Sequence, residues 1–175
     1  MRRTKSITLI FFLQTMLLQA QIITPADVVL QSWKLHQEME VTSIFKDLPW
    51  RSIGPISQGG RVESIVGVSG DPSIMYVGIG SGGIWKTING GATWKPIFDD
   101  QPTGAIGDIE VSTSNPNLIW VGTGESLLSK TSFPGIGVFK SENGGETWTH
   151  LGLTDSHHIM RIAIDPNDSQ TVFVA

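Results

Sequence analysis

The 175-residue chain contains no cysteine. Disulfides, thiolate metal sites and a cysteine nucleophile are therefore excluded. Charge is also scarce. Only 16% of residues are charged, the formal net charge is -4, and no basic block occurs beyond the first five residues. Such a chain lacks the electrostatic footprint of a nucleic-acid-binding protein. Tyrosine occurs once, as Tyr76 in the apolar run IMYV, where it reads as core. No helical pattern appears after Trp50. What the chain does have is 20 glycines and 39% apolar residues. That composition suits a turn-rich globular chain of about one domain rather than a disordered one.

The N-terminus, MRRTKSITLIFFLQTMLLQAQ, places Arg2, Arg3 and Lys5 before an apolar run from Ile7 to Leu18, with Ala20 before Gln21. This is the charge order of a secretory signal peptide, residues 1–20. The run is shorter than the roughly 20 residues that span a bilayer. Export to the periplasm, cell surface or medium is the expectation, with no membrane span in the mature chain. Residues 21–49 read as a helix and linker. Thr24 is placed to cap, Pro25 to occupy the first helical position, and Asp27 to lie in the first turn. Val28, Leu35 and Met39 fall near one face of a helix that ends at Glu40, with Trp33 beside it.

Residues 50–175 carry a repeat. IEVSTSNPNLIWV (Ile109 to Val121) aligns without gaps to IAIDPNDSQTVFV (Ile162 to Val174). VGVSGDPSIMYV (Val66 to Val77) matches both with one residue fewer. Each stretch is an alternating strand, a turn and a denser apolar strand. GGIWKT and GVFKS then lead into two boxes, TINGGATW and SENGGETW, and TWKPI and TWTHL read as fourth strands. The second unit carries extra residues around Ser126 to Pro134. Four short strands per unit at a spacing on the order of 50 residues signal β-propeller blades, about two and a half of them. Propellers close with about 4–8 blades. The expectation is an all-β, incomplete propeller behind an N-terminal helix, belonging to a longer protein.

The boxes have the form Thr87-x-Asn89-x-Gly91-x-Thr93-Trp94 and Ser141-x-Asn143-x-Gly145-x-Thr147-Trp148. They resemble the Asp-box (BNR) repeats of sialidases, xyloglucanase-type glycoside hydrolases and sortilin-type sorting receptors, with Asn in the usual Asp place. WRSIGP, GGRV, VGTGES, NGGETW and LGLTDSHHIMRIAIDPND resemble the N-terminal part of large exported bacterial proteins with a sortilin-like propeller. The resemblance implies a binding scaffold for a peptide, protein or glycan, completed by further blades. It also implies that the boxes are architectural and lie away from a functional face. Asn and Ser or Thr bond turn amides, Gly supplies positive φ, and Trp packs between sheets.

Other motifs are weighed on their chemistry. Gly78, Gly80 and Gly83 satisfy GxGxxG with Asp99 about 20 residues on, but strand residues follow where the dinucleotide fingerprint requires a helix. No cofactor is expected; the glycines shape a bend. A glycosidase needs two flanking carboxyl groups, for which Glu63, Glu125, Asp108 and Glu110 are candidates. The xyloglucanase resemblance puts Gly80 where those enzymes have an Asp, and the sialidase Arg-Ile-Pro motif is replaced by Arg161-Ile162-Ala163. Arg61, His157, His158 and Arg161 are the ligand-binding candidates, because they precede first strands, where a propeller chain nears its channel. Adjacent His157 and His158 on an extended segment point to opposite faces, so no metal site is expected.

Overall fold

The computed structural model describes residues 24–49, 60–127 and 131–175. The predicted signal peptide and all of WRSIGP lie outside the described residues. Among the described residues, two complete four-stranded antiparallel sheets and one two-stranded sheet follow a single helix. The first blade is β1 (Val62–Val68), β2 (Asp71–Ile79), β3 (Gly83–Thr87) and β4 (Lys95–Pro96). The second is β5 (Ile106–Val111), β6 (Ile119–Thr123), β7 (Val138–Ser141) and β8 (Thr149–His150). The third sheet is β9 (Ile162–Asp165) paired with β10 (Asp168–Val174). Within each sheet, strands that are consecutive in the chain are neighbours. This is a partial β-propeller with an N-terminal helix.

Register corrects the repeat. Ile65 pairs with Val77, Ile109 with Val121 and Ile162 with Val174. The first unit therefore begins at Ile65 and matches the others with no residue missing. Ser64 opposite Gly78 and Asp108 opposite Gly122 are then equivalent, each beside an irregularity in the first strand. A residue added there bends the strand and re-aims a side chain.

The two boxes fold identically. The Thr87 hydroxyl donates to Asn89 Oδ1 at 2.9 Å, and the Gly91 amide donates to Thr87 Oγ1 at 3.0 Å. Asn89 Oδ1 accepts the Thr93 amide while Asn89 Nδ2 donates to Thr93 Oγ1, both at 2.9 Å. Ser141, Asn143, Gly145 and Thr147 repeat every one of these bonds within 0.1 Å. Gly91 and Gly145 hold φ of 90° and 89°, a region that favours glycine. The second box plugs into the first blade. Trp148 Nε1 donates to the Ile97 carbonyl at 2.7 Å, and its ring meets Phe98 edge-on, with centroids 5.1 Å apart. Lys86 Nζ and the Tyr76 hydroxyl both donate to the Gly144 carbonyl, at 2.8 and 3.3 Å. Tyr76 is buried, as its apolar run suggested.

The helix, α1 (Ala26–Thr42), departs from expectation in three ways. Pro25 is the residue before the first turn, and no side chain caps that end. The last turn runs two residues beyond Glu40. The face toward the sheets is Ala26, Val29 and Leu30, whereas Val28, Leu35 and Met39 are exposed. The helix touches the blades through its first turns only, so the longer stripe has nothing beneath it among the described residues. No helix among the described residues is long and apolar enough to cross a membrane.

A Cβ on Gly145 would stand 2.5 Å from Ile97 Cδ1, at a φ hostile to side chains. Gly145→Ala should lower unfolding free energy by about 1–3 kcal/mol in urea titration, and Gly152→Ala, with open space around it, should lower it less.

Candidate functional site

The residues singled out from the sequence gather at the inner strands and the loops that join them. Arg61, just before β1, reaches two carboxylates. Its Nε donates to Glu63 Oε1 and its Nη2 to Glu125 Oε2. Glu125 follows β6, so this bridge ties the first blade to the second. Ser126 donates to the other Glu63 oxygen. Both carboxylates are almost fully buried, while Arg61 keeps a partly exposed outer edge. Burial alone would raise the Glu63 pKa. Hydrogen bonds from Ser126 and Arg61, with the guanidinium charge, outweigh it and hold this carboxyl below its ordinary value.

Gly80 is the floor of this knot. A Cβ there would lie 3.2 Å from Glu63 Oε1 and 3.3 Å from Glu125 Cδ. The Gly80 amide also donates to the Arg61 carbonyl, which fixes the loop beneath the ion pairs. Gly78, Gly80 and Gly83 lead directly into β3, so the phosphate-binding turn and helix of a dinucleotide fold are not formed.

A second cluster centres on Asp108. One carboxylate oxygen accepts the Ser64 hydroxyl at 2.7 Å and the Ile109 amide at 3.0 Å. The other accepts the Ile162 amide at 3.0 Å and lies 3.6 Å from Arg161 Nη1. Ser64, Asp108 and Ile162 belong to the first strand, or its immediate approach, in three successive sheets. Asp108 is thus a structural staple, with its oxygens fully engaged. Two residues on, Glu110 is shifted upward by burial and by the charge of Asp108, partly offset by Arg161.

The histidines stand on the loop entering β9. His158 Nδ1 contacts the Glu125 carbonyl at 3.1 Å. The His157 carbonyl accepts the Gly135 amide at 2.7 Å. Close approach is built in here, since a Cβ on Gly124 would fall 2.0 Å from the His157 oxygen. Among the described residues no cluster of His, Asp and Glu could hold a metal ion. Both histidines line a cleft of about 600 Å³. Its other walls are Ala26 and Val29 of the helix, Pro102–Thr103 after the first blade, and the stretch from Thr131 to Ile136. That stretch overlaps the insertion marked in the sequence between the second and third strands of the second blade.

Arg61, Glu63, Glu125 and His158 are therefore contiguous. Arg161 belongs to the Asp108 cluster, and His157 to the cleft wall. The box residues lie at the outer strands, away from both clusters. Ser126 and Ser64 were missed in the sequence, as was the role of Asp108. Their only signal was position beside an already marked acid.

Comparison with solved structures matches the chain to parts of larger proteins. An ancestral GH74 enzyme superposes with a TM-score of 0.52 at 21% identity, over 65% of this chain and 16% of that one. The GH74 enzyme of Niastella koreensis gives 0.48 at 25% identity, over 60% and 16%. YCF48 from Cyanidioschyzon merolae gives 0.43 at 19%, over 65% and 34%. The chain thus spans about a sixth of the GH74 enzymes it matches. The first similarity shows the propeller fold alone. No family model and no curated protein matches the sequence.

Two outcomes follow from these clusters. Asp108→Ala strands the Ser64 hydroxyl and the Ile162 amide, at about 1–3 kcal/mol for each unsatisfied group. Its urea midpoint should fall well below that of Asp108→Asn. For Glu63 the folded pKa lies below the ordinary 4.5. Its contribution is therefore complete above that pH and is lost as pH falls through the lower folded value. Acid titration of stability should be less steep below pH 4.5 in Glu63→Gln than in the parent chain.

Proposed function

We propose that this chain is part of an exported β-propeller, residues 50–175, that binds a peptide, protein or glycan ligand at its loop face without cleaving it. The observation that carries the reading is the cleft against His157 and His158. It joins an apolar floor, Ala26, Val29 and Ile136, to an exposed aromatic, Phe133, and uncharged polar groups such as Thr24 and Thr103. A concave, mostly apolar surface with a few polar groups is the general form of a ligand site. Loops held on a rigid sheet scaffold are where such sites sit. The export assignment rests on the N-terminal charge and apolar pattern, and the kinship with sortilin-like and Asp-box propellers rests on the box motifs.

The neighbouring carboxylates favour binding over hydrolysis. A glycosidase needs one carboxyl that keeps its proton and another free to act on the opposite side of the bond. Glu63 and Glu125 share one guanidinium, and Glu63 is biased toward the ionised form. At Gly80, where the xyloglucanase resemblance would put an Asp, the space is filled by these two side chains.

A glycoside hydrolase is the second reading, and Glu110 is what favours it. Burial, and then the charge of Asp108, shift its pKa upward, the direction required of a general acid. Further blades would have to supply the second carboxyl.

Arrays of glycans and extended peptides, followed by titration, test the binding reading. Saturable binding without product is expected, weakened at least about tenfold by Phe133→Ala, as befits loss of a buried aromatic contact. Turnover of xyloglucan or a sialoside that Glu110→Gln, Glu63→Gln or Glu125→Gln abolishes would replace binding with hydrolysis.

A further inference from the structure

The cleft beside His157 and His158 continues along the helix. Thr24, Val29 and Pro102 line both it and a second hollow of about 450 Å³, whose other walls are Ser32, Trp33 and His36. The two hollows are therefore parts of one groove. Val29, Trp33 and His36 stand at i, i+4 and i+7 of α1, a single stripe of the helix. At the helical rise that stripe is roughly 10 Å long. At the other end of the groove Phe133 is 57% exposed, yet its main chain is fixed. Its carbonyl accepts the Glu125 amide at 3.1 Å, and the nearby Gly135 amide donates to the His157 carbonyl at 2.7 Å. The rings of Trp33 and His36 stack, with centroids 5.3 Å apart and planes 25° apart. Among the described residues the Trp33 indole N–H meets no acceptor.

The lining narrows the occupant. Among the described residues no Asp, Glu, Lys or Arg borders either hollow. A charge carried into the groove would lose its hydration without gaining a counter-charge. Asn and Gln are missing as well, so the groove lacks the two-pronged side chains that pair with adjacent sugar hydroxyls. That favours a peptide over a glycan. No strand residue lines the groove, so a ligand cannot add to a sheet edge there. An α-helical peptide uses its carbonyls internally and would leave the Trp33 N–H unpaired. A polyproline II peptide keeps its carbonyls free and advances about 9 Å per three-residue turn, close to the length of the helix stripe.

We propose that the groove binds an uncharged, proline-containing peptide segment in the polyproline II conformation. An apolar side chain of the segment sits between Val29 and Phe133. A proline one turn away packs on the Trp33 ring, and Trp33 Nε1 donates to a main-chain carbonyl between them. Aromatic-lined grooves take such segments in this way. The inference rests on the binding reading above and names the ligand class for that site.

The test is an array of capped peptides of about twelve residues with an uncharged Pro-x-x-Pro core, set beside xyloglucan oligosaccharides and sialosides and followed by calorimetric titration. At least one peptide should bind saturably and the sugars should not. Trp33→Phe keeps the ring but removes the donor, and should weaken that peptide at least about fivefold, as loss of one hydrogen bond implies. Trp33→Ala should weaken it further. The indole N–H resonance that disappears in Trp33→Phe should shift downfield when the peptide is added to the parent chain. His36→Ala serves as a second variant if the Trp33 changes prevent folding, and should weaken binding in the same direction. Sugar binding that Phe133→Ala weakens, with no peptide bound, would overturn this inference and leave the binding reading standing. Peptide binding that is indifferent to both Trp33 changes and to His36→Ala would overturn it too. The absence of any saturable ligand would remove both readings.

Discussion

Asp108 is the contact on which the rest of the arrangement depends. Four groups converge on its two oxygens, and they come from three sheets. Sheets that meet face to face through apolar side chains alone can slide, because apolar packing is not directional. A buried carboxylate that must satisfy a serine hydroxyl on one side and a main-chain amide on the other admits one relative placement. The inner ends of the blades are therefore fixed by directional bonds, and the outer ends by the Trp148 indole on Ile97. Between those anchors Phe98, Phe139 and Trp148 fill the space at edge-on geometry.

This division of labour accounts for where chemistry is located. In the outer boxes the oxygen and the nitrogen of the Asn side chain both bond inside their own turn. The inner loops hold charge in partly satisfied form. Arg61 has an exposed edge although it binds two carboxylates, and Arg161 is open beyond Asp108. A ligand would meet cationic edges and neutral polar groups rather than free carboxylates. Such a rim suits recognition by hydrogen bonding more readily than proton transfer.

Much of the fold was legible in the sequence because its determinants are local. The boxes, with Asn89 and Asn143 bonding amides four residues away, and the alternating strands around Val77 and Val121 depend on short spacings. The blade count followed from them. The helix was placed correctly, but its buried face was not, because Val28, Leu35 and Met39 satisfy periodicity without any sheet beneath them. The one-residue deficit assigned to the first unit arose from starting that unit at Val66, whereas pairing across the sheet puts Ile65 opposite Val77. The charged clusters divided in the same way. Arg61, Glu63, Glu125 and His158 were marked individually. Their meeting point at Gly80 was hidden, as was the Ser64–Asp108–Ile162 row, whose members are 44 and 54 residues apart. Long-range pairings of that kind follow from the stacking of blades rather than from any local pattern.

The choice of Asn in both boxes has a consequence for covalent ageing. Asn89-Gly90 and Asn143-Gly144 are sequences in which the glycine amide readily attacks the Asn side chain, forming a succinimide and releasing ammonia. Here the Gly90 amide donates to the Ser73 carbonyl at 2.9 Å, and the Gly144 amide donates to the Asn117 carbonyl at 2.9 Å. The attacking nitrogen in each box is thus occupied, and the Asn carbonyl is held by the Thr93 or Thr147 amide. The turn that builds the blade also shields its own most labile bond, and chemical damage at these positions becomes a record of how often a blade has opened.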